Sequence, residues 1–348
     1  MNVITVTDAW APQVNGVVRT IEFTNRELER AGHRTTVISP QSFLTMPCPG
    51  YADIRLSLLP ARKLARKLAH AVEQGCAEDG AAVHIATEGP LGSAAARWCR
   101  RNQVPFSTAY HTRFPQYLKA MFGVPERWTY AFLRRFHRHA AVVMAPTATV
   151  EEELRAQHIG NIARWSRGVD TDLFKPAPGA ALDAPGPIFL YVGRVSVEKN
   201  IEAFLSLDLP GTKVVAGVGP ALAGLRRKFP EVRFMGVLGP DALAQLYSAA
   251  SVFVFPSRTD TFGLVLLEAL ACGTPVAAYP VQGPIDVIGD ADVGMLGDDL
   301  RAAALRALKI DRARCREFAL RHSWAACTQQ FVALQRPVAG GMLHAAIA

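Results

Sequence analysis

The stretch VFVFPSRTDTFGLVLLEALACGTPVAAY, residues 252–279, decides how the rest of the chain is read. Its opening run of Val and Phe reads as a strand that ends at Pro256. Phe262 and Gly263 then start an apolar helix reaching about Ala271, Gly273 breaks it, and PVAAY (275–279) is a second strand. The whole is a βαβ unit, the building block of a parallel sheet. Glu268 and Pro275 argue against a membrane span. Glu268 stands where every neighbour is Leu, Val or Ala. A buried, unpaired carboxylate costs on the order of several kcal/mol, so this acid is expected to meet a partner.

The same alternation extends in both directions. VITV (3–6), TTVIS (35–39), AAVHIAT (81–87), PFSTAYH (105–111) and AAVVMAP (140–146) read as strands, with a helix from Ile21 to Ala31 closed by Gly32. RGVDTDLFKPAPGAALDAPGP (167–187), rich in Pro, Gly and Asp, reads as a linker. After it IFLYV (188–192), KVVAG (213–217) and VRFMG (232–236) restart the series. The expectation is two doubly wound, Rossmann-like parallel-sheet domains facing across a cleft. Residues 1–168 form the first, a C-terminal helix over 325–348 packs back on it, and 169–324 form the second.

A chain of 348 residues, half of them apolar, is long enough for two cores. Its opening lacks the basic start and apolar run of a signal peptide. The six cysteines form no CxxC pair, so reduced thiols and a cytoplasmic protein are expected. Charge is uneven. Residues 1–170 carry 21 Lys and Arg against 14 Asp and Glu, and the remainder 17 against 16. A basic first half points to an anionic surface or polymer as partner.

In open α/β sheets ligands bind beyond the carboxyl ends of strands, often at helix N-termini. Four segments fall there. In APQVNGVVRT (11–20), Gly16 lets the backbone approach a ligand, although an ordinary βα loop is equally compatible. His111 in YHTRF ends a strand. In YVGRVSVEKN (191–200), Gly193 permits a tight turn, and Arg194 and Lys199 supply two cations suited to a diphosphate. In the opening stretch, free amides at the helix start suit phosphate oxygens. Glu268, roughly 7.5 Å further along the axis, suits a ribose, and Asp260 suits a sugar on the other side. Three other motifs are set aside: the DxD triplets at 170–172 and 290–292 are too short to mark a metal site, and GVGPALAG (217–224) lacks its third glycine.

Together these segments resemble the retaining glycosyltransferases of family 4, which have the GT-B fold. The most specific part is Asp260-x₇-Glu268 followed by ALACGTPVAAYP, with GRVSVEKN similar to the family's diphosphate clamp and RGVDTDLFKP to its linker signature. The resemblance implies that Arg194 and Lys199 hold a nucleotide diphosphate, Glu268 the ribose and Asp260 the donor sugar. Amides around Phe262, Gly263 and Leu264 would contact phosphate, His111 would hydrogen-bond the transferred sugar, and Gly16 and Gly193 would line the site. Three departures are Asp260 in place of Glu, Asn15-Gly16 in place of two glycines, and Asp286 in place of Glu. The implied reaction is retaining hexosyl transfer from a UDP- or GDP-hexose, with no metal and no cofactor.

Two segments bear on the acceptor. RLSLLPARKLARKLAHAVEQ (55–74) sets Leu58, Leu59, Leu64 and Leu68 among Arg62, Lys63, Arg66 and Lys67. ERWTYAFLRRFHRHA (126–140) sets Trp128, Tyr130, Phe132 and Phe136 among Arg134, Arg135 and Arg138. Both suit an anionic bilayer surface, and both suit surface helices with apolar faces turned inward. With the resemblance to bacterial enzymes that glycosylate lipids, they favour a membrane lipid such as diacylglycerol over a soluble sugar, and a peripheral place on the inner face of the membrane. A nucleotide-sugar epimerase of the same fold would need no acceptor. A nucleic-acid binder would explain the basic half but not the acids and cations at strand ends, so no nucleic acid is expected.

Overall fold

The computed structural model describes residues 1–13, 15–48, 51–260 and 262–338. Thr261 of the loop expected to meet phosphate, Val14 of the first loop and residues 339–348 of the expected C-terminal helix lie outside them. The chain divides into two units, Met1–Ser166 with the segment from Cys327 onward, and Arg167–Ala326.

The first unit opens with β1 (Asn2–Val6), α1 (Gly16–Arg30) and β2 (Arg34–Ile38). An antiparallel pair, β3 (Thr45–Cys48) and β4 (Tyr51–Ser57), leads into α2 (Ala61–Glu78), β5 (Ala81–Ile85) and α3 (Pro90–Arg101). Then come β6 (Phe106–Ala109), α4 (Phe114–Phe122), α5 (Glu126–His137), β7 (Val142–Ala145), α6 (Ala148–Ala156) and β8 (Ile162–Arg164). The parallel sheet has the order β2-β1-β5-β6-β7-β8. Every residue of β1, β5, β6 and β7 is buried, which is why these strands are mostly apolar in the sequence and do not alternate. Asn15 starts α1 by accepting the amides of Val17 and Val18, both at 3.0 Å. The chain leaves β1 for β2 on one side and reaches β5 on the other, so this sheet reverses direction between β1 and β5.

The second unit repeats the plan with β9 (Ile188–Val192), α7 (Ile201–Leu205), β10 (Thr212–Ala216), α8 (Leu222–Lys228), β11 (Arg233–Gly236), α9 (Pro240–Ala249) and β12 (Val252–Phe255). It continues with α10 (Leu264–Ala271), β13 (Val276–Ala278), α11 (Pro284–Ile288), β14 (Gly294–Leu296), α12 (Leu300–Ala307) and α13 (Arg312–Leu320). Its order is β11-β10-β9-β12-β13-β14, all parallel, reversing between β9 and β12. Apolar clusters lie on both faces, one including Phe253, Leu266 and Tyr247, the other Phe189, Phe204 and Ala303.

The last helix, α14 (Trp324–Leu334), begins in the second unit and ends in the first. There Phe331 packs on Trp165 with ring centroids 4.8 Å apart, and the Ser107 hydroxyl donates to Gln335 Oε1 at 3.0 Å. The amide of Val338 then donates to Ala81 O at 2.7 Å.

The two segments read as membrane-facing need correction. Residues 55–57 finish β4, and α2 starts only at Ala61. Leu64 and Leu68 are fully buried in the first unit's core, as are Tyr130 and Leu133 of α5. What reaches the surface is a basic face of α2 (Arg62, Lys63, Arg66, Lys67) with Leu58 and Leu59 before it, and Trp128 and Phe132 beside Arg135 on α5. Among the described residues no helix is long and apolar enough to cross a membrane.

Candidate functional site

In the second unit the predicted residues gather where the sheet reverses. Since β9 and β12 are neighbours, the loops that leave their carboxyl ends lie side by side. Gly193 ends β9 at φ 149°, and a β-carbon there would stand 2.9 Å from the Tyr191 hydroxyl. That hydroxyl donates to the Arg194 carbonyl at 2.9 Å. Burial, with the charges of Asp260 and Glu198 adding, pushes the Tyr191 hydroxyl well above its usual value. It remains a donor and fixes the backbone from which Arg194 projects. Gly217 and Gly219, part of the dinucleotide-like run, have a different use: β-carbons would strike the carbonyls of Gly193 and Val195 at 1.9 and 2.3 Å. These glycines let the β10 loop lie flat against the β9 loop.

Lys199 and Asp260, named separately from the sequence, form an ion pair. Two further bonds tie their loops: Asn200 donates to Pro256 O at 3.1 Å and Thr259 to Glu198 O at 3.2 Å. Only one Asp260 oxygen is used by Lys199; Oδ2 is buried without a hydrogen-bond partner. The helix α10 starts two residues later than expected, at Leu264, after Gly263 in the left-handed region at φ 84°. Gly263 has no side chain to cap the helix, and the amide of Leu266 turns back on the Gly263 carbonyl at 2.9 Å. Phe262 is buried in the core, which anchors this turn. Gly283, at φ 87°, lets the loop after β13 approach the carbonyls of Asp260 and Phe262, each 3.2 Å from where a β-carbon would be.

Glu268 is 5% exposed, and the Tyr247 hydroxyl of α9 donates to its Oε2 at 3.0 Å. The sequence reading gave this acid only ligand hydroxyls as partners; the protein supplies one itself. No local pattern could have shown it, because Tyr247 lies 21 residues away. Arg258 was also missed. Its guanidinium lies 3.7 Å from the centroid of the Tyr279 ring, an exposed cation on the loop that carries Asp260. The DTD triplet is a turn: Asp170 Oδ1 accepts the amides of Asp172 and Leu173.

Gly16 and His111 belong to the first unit. Gly16 is the first residue of α1, and His111 stands two residues beyond β6, its ring edge-on to Trp165 with centroids 5.8 Å apart. Just beyond His111, Glu153 accepts from Tyr130 at 2.6 Å, from Gln116 at 2.9 Å and from Arg113. This network fixes the start of α4 and hence the loop that carries His111. Burial and the Glu153 bond push the Tyr130 hydroxyl up to about 12.

Two parallel α/β units, with cations, a half-satisfied carboxylate and a helix start without a side-chain cap at the reversal of the second, have the architecture of proteins that bind phosphate-bearing ligands. Residues 14–173 match the model of glycosyltransferase family 4, and residues 178–326 that of glycosyl transferases group 1. The chain is 31% identical over 322 residues to a GDP-mannose-dependent alpha-mannosyltransferase of Mycobacterium tuberculosis, a match covering 85% of this chain and 83% of that one. It is 28% identical over 340 residues to the alpha-monoglucosyldiacylglycerol synthase of Streptococcus pneumoniae, covering 87% and 77%. A solved sucrose-phosphate synthase from Thermosynechococcus elongatus superposes with a TM-score of 0.76 at 24% identity, over 96% of this chain and 98% of that one, which shows the shared fold. The chain belongs to glycosyltransferase family 4, whose members use nucleotide-sugar donors.

Proposed function

We propose that this enzyme transfers a hexosyl group from a UDP- or GDP-hexose to a membrane lipid such as diacylglycerol, with retention at the anomeric carbon and without a metal ion. The observation that carries the donor half is the Lys199–Asp260 pair beside Arg194, with Asp260 Oδ2 buried and unpartnered. In this reading the diphosphate draws Lys199 to itself, Arg194 and the α10 amides complete a positive field around the leaving group, and Asp260 turns to the sugar. Glu268 receives the ribose hydroxyls, and His111 donates to the transferred sugar. The GDP-mannose dependence of the mycobacterial relative makes GDP-mannose the first donor to try.

The acceptor half is supported by the name of the pneumococcal relative and by the surface. Leu59 is 97% and Trp128 62% exposed, and each adjoins a basic helix face. Apolar side chains beside cations suit insertion among anionic headgroups. The test is a transfer assay with UDP- and GDP-sugars and a bacterial lipid extract, read by mass spectrometry, with anomeric configuration by NMR and a parallel reaction in EDTA. A glycolipid of retained configuration, formed equally in EDTA, supports the reading. Transfer only to soluble sugars overturns the lipid acceptor, and complete, reversible loss in EDTA overturns metal independence.

A further inference from the structure

The first unit has a cavity of its own at the carboxyl ends of β1 and β2. These strands are neighbours, so the loops that leave them run side by side. In the loop after β1 the Gln13 amide returns to the Trp10 carbonyl at 3.1 Å, a turn that fixes Trp10. In the loop after β2 Pro40 opens a short 3₁₀ turn that closes at Phe43. Gln41 joins the two loops, its Nε2 donating to Ala11 O at 3.1 Å. The hairpin of β3 and β4 completes the wall. Trp10, Pro12, Pro40, Gln41, Thr45 and Arg55 line a space of about 310 Å³, counted out to its open mouth.

The lining carries one cation and no acid. Arg55 donates through Nε to Thr45 Oγ1 at 3.0 Å and through Nη2 to Thr45 O at 3.3 Å, which uses two of its five N–H groups. The other three, and the charge, meet no carboxylate among the described residues. A guanidinium held in this way presents a fixed fork, which suits two oxygens of a phosphate. Trp10, Pro12 and Pro40 offer apolar surface for the C–H groups of a ring, and Gln41 has an N–H and its Oε1 beyond the bond to Ala11. Ser57 faces Thr45 across the ladder and so shares its side of the hairpin. It is 3% exposed, and its hydroxyl is buried without a hydrogen-bond partner, a bond that a polar ligand on this side would complete.

We propose that this cavity binds a polyol ring bearing a phosphate, either a free sugar phosphate or the headgroup of a lipid, with the phosphate on Arg55 and the ring against Trp10. The space equals that of about ten waters, so it admits one ring with its phosphate and not a chain of sugars. The site lies wholly in the first unit, apart from the donor residues of the second, and holds whichever sugar the enzyme transfers.

The test uses the full chain with GDP and UDP in excess, so that the donor residues are occupied and cannot hold the probe. Glucose 6-phosphate and mannose 6-phosphate are titrated by calorimetry into the parent, Arg55→Gln and Trp10→Ala, with thermal unfolding as the check that each variant folds. The controls are glucose, mannose and inorganic phosphate. The expected result is binding of a hexose phosphate by the parent, weakened at least about tenfold in either variant, with the bare sugar and the bare phosphate each weaker than the two joined. Arg55→Lys, which keeps the charge and loses the fork, should fall between the parent and Arg55→Gln. Co-sedimentation with phosphatidylinositol vesicles separates the sources: sedimentation that depends on Arg55 and is displaced by the hexose phosphate assigns the site to a lipid headgroup, and its absence assigns it to the free sugar phosphate. Equal binding by the parent and Arg55→Gln overturns the proposal. So does inorganic phosphate binding as tightly as the hexose phosphates, which leaves no part for Trp10. Failure of the hexose phosphates to bind, with no Arg55-dependent sedimentation, overturns it as well.

Discussion

Replacing Asp260 by Asn should separate donor binding from transfer, and the sign of the effect follows from the ion pair. In the unliganded protein Lys199 is neutralised by Asp260, with side chains 26% and 18% exposed. Two unit charges in contact at an effective dielectric of about 20 attract by about 4 kcal/mol. Desolvation and side-chain ordering cancel most of that, leaving about 1 kcal/mol for a partly exposed pair. A nucleoside diphosphate must compete for Lys199 against that attraction. Asp260→Asn removes the competitor, so GDP or UDP should bind about fivefold more tightly, the equivalent of about 1 kcal/mol. Lys199→Met acts in the opposite direction. It removes a charge-assisted hydrogen bond worth about 1.5–3 kcal/mol and leaves Asp260 facing the phosphates, so affinity should fall by at least about tenfold. The double variant should bind better than Lys199→Met alone. Transfer by Asp260→Asn should nevertheless collapse, because the oxygen assigned to the sugar hydroxyl is altered. Calorimetric titration of the three variants with GDP and UDP reads the cycle. If Asp260→Asn weakens nucleotide binding as much as Lys199→Met does, the two residues serve the diphosphate together, and the assignment of Asp260 to the sugar is wrong.

Glu268→Gln should weaken nucleotide-sugar affinity about tenfold or more while lowering stability by about 1 kcal/mol, since the amide still accepts the Tyr247 hydroxyl; unchanged affinity in calorimetry removes Glu268 from the donor site. Gly263→Ala, at φ 84°, should cost about 1–2 kcal/mol, read in urea unfolding, and should weaken nucleotide binding by moving the start of α10. Leu59→Asp should reduce co-sedimentation with phosphatidylglycerol vesicles severalfold without changing turnover on a soluble acceptor analogue; equal sedimentation would show that this side chain does not meet the bilayer. Burial pushes Asp8 above its ordinary value of 3.8, so the native state holds that proton more tightly than the unfolded chain. The stability it contributes is present below the unfolded value and is lost as pH rises through the folded one. Asp8→Asn, which cannot ionise, should therefore lose less stability than the parent between about pH 4 and pH 7, measured by thermal unfolding.

The central strands of both sheets were legible because they are buried on both faces, and such strands announce themselves without reference to the rest of the chain. β3, β8 and β14 were not legible. β3 carries Pro47 and has no buried residue, β8 has three residues with one exposed, and β14 is only partly buried. Composition there says little. The donor loop could be read because its residues are close in sequence and each type suits an anion or a sugar. Lys199 meeting Asp260, or Tyr247 meeting Glu268, depends on which strands become neighbours, and a linear pattern does not carry that. The α2 segment shows the limit most directly. Leucines four apart between cations have the same periodicity whether they face a bilayer or a sheet, and Leu64 and Leu68 face the sheet.

The return of α14 has a consequence for anyone who would exchange parts of this enzyme. Arg167–Ala326 is an insertion in the chain of the first unit, not its successor. A fragment that stops at Ser166 lacks Phe331, which covers Trp165 and His84, and Gln335, which accepts from Ser107. It would begin with an open core directly behind His111. A chimera meant to replace the second unit while keeping the first must therefore be joined at two places, before Arg167 and after Ala326, with the closing segment left to its original owner.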